Sequence, residues 1–174
     1  MKDTILFGDC RETLSQIDDK VRMCVTSPPY YGLRNYGDES NQIGQEDTPE
    51  EYIQNLVNIF RSVRNCLTDD GTLWVNIGDS YYNYRPGKGQ SYPKQSVSKT
   101  KQDLPDKCNK RGNKLEGLKE KDLIGIPWML AFALRADGWY LRQDIIWHKP
   151  NPMPESVKDR CTKSHEYIFL LSKN

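Results

Sequence analysis

The sequence of 174 residues lacks several features that would assign it directly to a class. It has no apolar run near the ~18 residues that a membrane-spanning helix requires. Its first residues, MKDTILFGDCRETL, contain too short an apolar stretch for a signal peptide and no small-residue cleavage site. We therefore expect a soluble protein of about one domain that acts in the cytoplasm.

Cysteine is also sparse, and its positions follow no ligand pattern. Cys10, Cys24, Cys66, Cys108 and Cys161 are never spaced as C-x-x-C. An odd and scattered set of this kind argues against both a disulfide framework and a zinc site. We expect reduced thiols that pack as small apolar groups, and no metal.

The net charge is only +1, but the charges are segregated along the chain. Residues 85–121 contain eleven Lys or Arg and four Asp or Glu, a balance of +7, whereas the remainder has a balance of −6. A positive segment of this kind suits a polyanionic partner. Residues 81–121 are rich in Lys, Gly, Ser, Gln and Asn, which predicts a basic, mobile insertion loop. A loop that contacts DNA phosphates and a merely solvated loop both remain open.

Hydrophobic periodicity and capping signals predict strands that alternate with helices. The predicted strands are residues 4–9, 21–27, 71–79, 139–148 and 165–173, and the predicted helices are residues 10–17, 49–67 and 127–135. The strand at 21–27 shows no clean alternation, so we expect it to be buried on both faces. The pattern predicts an α/β fold with a mostly parallel sheet and helices on both faces. In such sheets the active site lies beyond the carboxyl ends of the strands, where Asp9, residues 27–30 and Asp79 fall.

The most specific stretch is VTSPPYYGLRNYG, residues 25–37, in which two prolines and two tyrosines directly follow an apolar run. Proline fixes its backbone angle and contributes no N–H, so the pair holds the neighbouring carbonyl in a fixed direction. With its preceding strand, this string resembles the amino-methylating DNA methyltransferases, which modify N4 of cytosine or N6 of adenine. The resemblance extends through ILFGD, residues 71–79, IPWMLAFALRADGWYLRQDIIWHKPNPMPES and SHEYIFLLSK, and so covers nearly the whole chain.

The order of these segments is similar to that of the circularly permuted group, in which the cofactor half follows the SPPY half. In that group a glycine-rich F-x-G-x-G segment binds S-adenosylmethionine, and this sequence has no such segment. The glycine clusters at residues 87–89 and 112–117 lie in the polar loop and do not replace it. The resemblance therefore implies a partial Rossmann-like methyltransferase sheet that lacks the strands of the cofactor half. Residues 1–174 would form the catalytic part of a methyltransferase domain.

The family also implies roles for individual residues. The predicted catalytic residues are Ser27, Pro28, Pro29 and Tyr30. The residues predicted to approach S-adenosylmethionine are Asp9 and Thr26, and those predicted to contact DNA are Tyr31, Arg34, Lys88, Lys94, Lys149 and Asn151. For Asp9, a helix N-cap is an equally physical interpretation. Glu166, at the start of the last strand, is expected to support the site rather than to react.

Several activities remain open at this point. Methylation of cytosine C5 is disfavoured because that family uses a nucleophilic cysteine after proline, and no Pro-Cys dipeptide occurs. A leading Ser in T-S-P-P-Y is typical of the N4-cytosine group, which favours cytosine, with N6 of adenine as the alternative. The substrate implied is double-stranded DNA, in a restriction–modification setting. A further alternative is an inactive or split-enzyme DNA-binding fragment, completed by a second polypeptide or a C-terminal continuation.

Overall fold

The computed structural model describes residues 3–18, 20–33, 42–82, 115 and 117–174. The elements in chain order are α1 (Cys10–Thr13), a 3-10 turn (Leu14–Gln16), β1 (Val21–Thr26), α2 (Pro49–Cys66), β2 (Leu67–Ile77), α3 (Ile126–Ala136), β3 (Tyr140–His148) and β4 (His165–Ser172). All the predicted helices and all the predicted strands but the first are present. Most of the predicted insertion at 81–121 lies outside the described residues. No helix in the described part of the chain is long and apolar enough to cross a lipid bilayer.

The four strands form one mixed sheet in the order β1-β2-β4-β3. β1 runs parallel to β2, whereas β4 is antiparallel to both β2 and β3. The prediction of a mostly parallel sheet is therefore wrong for the described strands. β4 follows β3 without an intervening helix, and strands joined without a crossover helix pair antiparallel.

Both long helices pack against one face of this sheet. They share a single buried cluster with side chains that alternate along the two central strands. The sheet residues of the cluster are Leu73, Val75, Ile77, Phe169 and Leu171. The expected helices on the second face are absent from the described residues, and that face exposes Met23 by 56% and Val25 by 68%. Among the described residues, helices therefore cover one face of the sheet.

β1 is an edge strand, which contradicts the expectation that it is buried on both faces. Only β2 pairs with it among the described strands, and four of its six residues are exposed. Residues 4–9 form no strand at all, and Ile5 and Phe7 are 76% and 88% exposed. A strand needs a hydrogen-bonded neighbouring strand, and none of the four described strands pairs with residues 4–9.

The start of α2 follows its sequence signals closely. The Thr48 hydroxyl accepts a hydrogen bond from the Glu51 backbone N–H at 3.2 Å, and the Glu51 carboxylate accepts one from the Thr48 N–H at 3.3 Å. This reciprocal capping box satisfies two N–H groups that the helix leaves unpaired. Pro49 occupies the first turn, where its missing N–H costs nothing. The apolar face that follows begins with the fully buried Tyr52.

The start of α3 is held by a residue from another part of the chain. Gly125, in the left-handed region at φ 90°, is the N-cap and has no side chain to cap the helix. The Asp79 carboxylate accepts hydrogen bonds from the N–H groups of Gly125 and Ile126, each at 3.0 Å. It also accepts one from Ser80 N–H at 2.9 Å. Asp79 is therefore a cap, and it fixes the segment after β2 to the first turn of α3.

Candidate active site

The S-P-P-Y motif directly follows β1 and faces the end of β2. Because these strands are parallel, with Thr26 opposite Val75, their carboxyl ends lie side by side. Residues 27–30 leave the end of β1 next to residues 76–79, as predicted for an active site in this position. The Ser80 hydroxyl donates a hydrogen bond to the Tyr31 carbonyl at 2.8 Å, which joins the two segments directly.

The backbone of the proline segment is held from below by α2. The Tyr52 hydroxyl donates a hydrogen bond of 2.7 Å to the Pro29 carbonyl. The Pro28 carbonyl, in contrast, accepts no hydrogen bond from the described residues. Pro28 itself is buried and the Ser27 side chain is exposed. The Ser27 hydroxyl and the Pro28 carbonyl, which we call the acceptor pair, are therefore both available at the end of β1.

The Tyr30 ring lies directly against the backbone of Gly78. A Cβ atom added at Gly78 would be 2.7 Å from Tyr30 Cε2 and 3.1 Å from Cδ2, closer than carbon atoms approach one another. Glycine is thus the residue that admits the ring at this point. The remaining surface of the ring lines a pocket.

The Tyr30 hydroxyl is anchored at the centre of the sheet. It donates to Asn76 Oδ1 and to Glu166 Oε2, each at 3.1 Å. Asn76 Nδ2 donates to the Tyr167 carbonyl at 3.1 Å, which fixes the Asn76 amide oxygen toward Tyr30. Lys149 forms an ion pair with the other oxygen of Glu166. The ring is thereby fixed by its hydroxyl as well as by packing.

The protonation states follow from burial and these contacts. Burial raises the pKa of Tyr30, and the charge of Glu166 adds to that effect. The net rise keeps the Tyr30 hydroxyl protonated at neutral pH. Burial also acts to raise the pKa of Glu166, but hydrogen bonds from Lys149 and Tyr30 outweigh it and lower that pKa. Glu166 is therefore a carboxylate at neutral pH.

These groups surround a pocket of about 420 Å³. Its lining residues are Ser27, Pro28, Pro29, Tyr30, Leu33, Asn76, Trp147, Lys149 and Glu166. The volume is in the range of small-molecule sites, and the mixture of aromatic, apolar and polar groups is typical of them. The four residues predicted to be catalytic are thus brought together in one concave site, and Lys149 joins them.

Other predicted site residues lie elsewhere. Asp9 is the N-cap of α1, and its carboxylate is bound by the backbone N–H and the guanidinium of Arg11. Thr26 is the half-buried last residue of β1. Tyr31 packs against Tyr52, with 5.4 Å between ring centroids. None of these lines the pocket. The cap interpretation of Asp9 is confirmed, and the binding roles of these residues stay predictions.

The residues predicted to contact DNA are only partly described. Asn151 is exposed in the segment between β3 and β4. Arg34, Lys88 and Lys94 lie outside the described residues. Lys149 is 38% exposed and paired with Glu166, so its ammonium group contacts the pocket as well as solvent.

Four pocket residues were not predicted to belong to the site itself, and one of them is Leu33 in the segment after the motif. Asn76 and Trp147 lie within strands and carry no local motif, and Glu166 was expected only to support the site. A usable signal does exist for Asn76, since it is a polar residue within the apolar run LWVNI. Such a residue in a central strand needs a hydrogen-bond partner from a neighbouring strand.

Comparison with known proteins identifies the family of the chain. The family model described as DNA methylase, which covers N6 and N4 methyltransferases, matches residues 21–174. The chain belongs to this family of amino-methylating DNA methyltransferases.

Among its relatives, the type II methyltransferase M.SmaI of Serratia marcescens is 55% identical over 175 residues. That alignment covers 97% of this chain and 55% of M.SmaI. M.Cfr9I of Citrobacter freundii is 51% identical over 98% of this chain and 54% of its own length. The chain therefore spans about half the length of the relatives that it matches.

Solved structures share the fold. TTHA0409 of Thermus thermophilus, a DNA modification methylase by description and complexed with S-adenosyl-L-methionine, superposes with a TM-score of 0.61 at 22% identity. The match covers 95% of this chain and 51% of that one. The cytosine-N4-specific PvuII DNA methyltransferase gives a TM-score of 0.61 at 16% identity, over 96% and 48% of the two chains.

Proposed function

We propose that this chain supplies the methyl-acceptor side of an S-adenosylmethionine-dependent type II DNA methyltransferase that modifies N4 of cytosine. The observation that carries the proposal is the acceptor pair beside the anchored Tyr30 ring in one pocket. The family membership and the similarity to M.SmaI support the reaction class. The leading Ser27 of the motif supports cytosine as the base.

The acceptor pair addresses the chemical difficulty of the reaction. The lone pair of an exocyclic amine is conjugated into the base, so the nitrogen is a weak nucleophile. Acceptors that bind both of its N–H hydrogens draw the nitrogen toward tetrahedral geometry and release the lone pair. The Ser27 hydroxyl and the Pro28 carbonyl are two such acceptors, and Tyr52 occupies the alternative Pro29 carbonyl. Preorganised dipoles of this kind lower the barrier because they need no rearrangement during the reaction.

Tyr30 offers the stacking surface for a base that has left the duplex. The amine of a paired base is inaccessible, so an enzyme of this kind must turn the nucleotide out of the helix. Stacking on an aromatic ring is worth about 1–3 kcal/mol per base. A ring fixed at Gly78 and at its hydroxyl provides that surface without losing further side-chain entropy.

The methyl donor fits the chemistry of this site, although the residues present form only part of its binding site. S-adenosylmethionine supplies a methyl group on a sulfonium, which is already activated and needs no acid or base to leave. Asp9 and Thr26 are the residues that this chain would offer to it. Thr26 ends β1, and no described strand pairs with the outer edge of β1, so a ligand at this strand end would lie beside Thr26. Alignment of donor and acceptor would then govern the rate.

We further propose that the active enzyme contains a second half, as a continuation of the chain or as a second polypeptide. The chain spans 55% of M.SmaI, and no described helix covers the sheet face that exposes Met23 and Val25. The exposed Ile5 and Phe7 support the same occupant. This half would complete the cofactor site and carry most of the target recognition. Lys149, Asn151 and the basic residues Arg34, Lys88 and Lys94 would contact phosphates, which position the duplex without reading its sequence.

A methyl-transfer assay tests the proposal. Two proteins are assayed: the chain alone, and the chain fused to the part of M.SmaI beyond the aligned region, which we call the joined protein. Each receives labelled S-adenosylmethionine and an unmethylated random-sequence DNA library. Product nucleosides are identified by mass spectrometry. N4-methylcytosine from the joined protein is expected, and N6-methyladenine would transfer the proposal to the alternative base. Absence of any methylated base in both proteins, with intact M.SmaI active in parallel, would contradict it.

A further inference from the structure

Glu166 and Lys149 form an ion pair inside the pocket, and acceptor chemistry alone does not require it. Glu166 is the second residue of β4 and Lys149 directly follows the end of β3, so the pair lies across two adjacent antiparallel strands. One carboxylate oxygen contacts Lys149, and the other contacts the Tyr30 hydroxyl at 3.1 Å. The Glu166 side chain is 19% exposed, so removing it from water must be offset by these contacts.

The hydrogen-bond directions around Tyr30 are determined by its partners. An ionised carboxylate can only accept, and Asn76 turns its amide oxygen to Tyr30 because its nitrogen donates to the Tyr167 carbonyl. The single hydroxyl hydrogen of Tyr30 therefore points toward Asn76 and Glu166. The ring is therefore held through its hydroxyl by an amide oxygen of β2 and a carboxylate of β4.

We propose that Glu166 is a positioning residue for methyl transfer, which acts through the Tyr30 hydroxyl on the stacking ring. It holds the ring in place beside the acceptor pair, so that a base stacked on the ring has its amine at Ser27 and Pro28. Lys149 keeps the carboxylate ionised and in position. This inference rests on the proposed function and assigns the direction of the hydrogen bonds in its site.

The variant that tests this is Glu166→Gln, which keeps the size of the side chain but adds N–H donors. A glutamine amide can turn an N–H toward the Tyr30 oxygen in place of the carboxylate acceptor, and the ring then loses its charged anchor. We expect kcat of the joined protein to fall about tenfold to a hundredfold, since a charge-assisted hydrogen bond is lost. KM for DNA should change by less than about twofold, because phosphate contacts dominate affinity. The matched control is Asp137→Asn, which removes a carboxylate that pairs with Arg61 at the distant end of α3.

A double-mutant cycle separates positioning from general stability. Tyr30→Phe keeps the ring and removes the hydroxyl through which Glu166 acts. The double variant Glu166→Gln with Tyr30→Phe should lose no more kcat than the more damaging single variant. Losses that multiply, or an unchanged kcat in Glu166→Gln, would overturn the proposal.

A second measurement does not depend on catalysis. Tyrosine labelled with carbon-13 at Cζ reports the hydroxyl environment of Tyr30 by NMR in the 174-residue chain, with Tyr30→Phe used to assign the signal. We expect Glu166→Gln to shift that signal and Asp137→Asn to leave it in place. If the joined wild-type protein transfers no methyl group, the proposed function fails, and this signal still decides the anchoring. An unshifted Tyr30 signal in Glu166→Gln would refute it.

Discussion

The contact between Gly78 and the Tyr30 ring makes Gly78→Ala a quantitative test of how rigidly the ring is held. The added Cβ would be 2.7 Å from Tyr30 Cε2, whereas carbon atoms prefer about 3.5–4.0 Å. The ring would have to move by roughly 0.8 Å, the difference between the preferred and the imposed separation. Its hydroxyl, already 3.1 Å from both Asn76 and Glu166, would leave hydrogen-bonding range by such a shift.

Two effects of opposite sign contribute to the stability change. Overpacking costs about 1–3 kcal/mol. Alanine instead of glycine reduces the entropy of the unfolded chain and stabilises by about 0.4–1 kcal/mol where the backbone permits it. Gly78 has no positive φ, so alanine is not strained there by its backbone. Because the steric cost is larger, we expect a net loss of about 1–2 kcal/mol in the free energy of unfolding.

Urea denaturation measures this loss, and a second substitution identifies its cause. In a Tyr30→Ala background there is no ring to meet, so Gly78→Ala should be neutral or slightly stabilising. Gly71→Ala, at the other end of β2, is the matched control, because its Cβ would meet Leu67 and Thr68 and not the ring. It should lower stability without lowering kcat of the joined protein, whereas Gly78→Ala lowers both. Equal losses from Gly78→Ala with and without the ring would refute the reasoning.

Three further predictions concern the surroundings of the site. Ser27→Ala should reduce kcat of the joined protein by about 100-fold or more. Its free energy of unfolding in urea should stay within about 0.5 kcal/mol of wild type. Wild-type turnover in this variant would contradict the role of the acceptor pair. Tyr52→Phe removes the hydrogen bond to the Pro29 carbonyl, so the free energy of unfolding should fall by about 1–2 kcal/mol in the same assay and kcat should also fall. If neither quantity changed, the proline segment would need no support from α2. Burial acts to raise the pKa of Glu166, but hydrogen bonds outweigh burial and lower this pKa in the folded protein. The ionised Glu166 therefore stabilises the fold fully above the ordinary pKa of a glutamate, and this stabilisation is lost as the pH falls through the lowered pKa of the folded state. Glu166→Gln should therefore flatten the acid side of the stability–pH curve, and parallel curves for the two proteins would argue against that coupling.

The features that sequence predicted well are those that depend on neighbours in the chain. Thr48, Pro49 and Glu51 define the start of α2 within four residues, and the structure confirms all three roles. The S-P-P-Y motif is equally local: a strand followed by two prolines has few conformations available. Its position at the end of β1 followed directly from these constraints.

The features that sequence missed depend on distant partners. The direction of β4 follows from its long connection to β3, which carries no periodic signal. The burial of β1 depends on a covering layer that the described chain lacks. The contact between Tyr30 and Glu166 joins residues 136 positions apart, and that between Asp79 and Gly125 spans 46 positions. Local sequence patterns can assign each residue to a helix or strand, but they do not predict contacts between residues so far apart in the chain.

Only β2 pairs with β1 among the described strands, and the other edge of β1 has a consequence for inhibition. An edge strand offers a row of backbone N–H and C=O groups that a second extended chain can pair with. The proposed second half would add a strand at this edge, and a short peptide with the sequence of that strand would compete with it. Such a peptide would act on the assembly of the enzyme rather than on its pocket, and its selectivity would come from side chains that match Val21, Met23 and Val25.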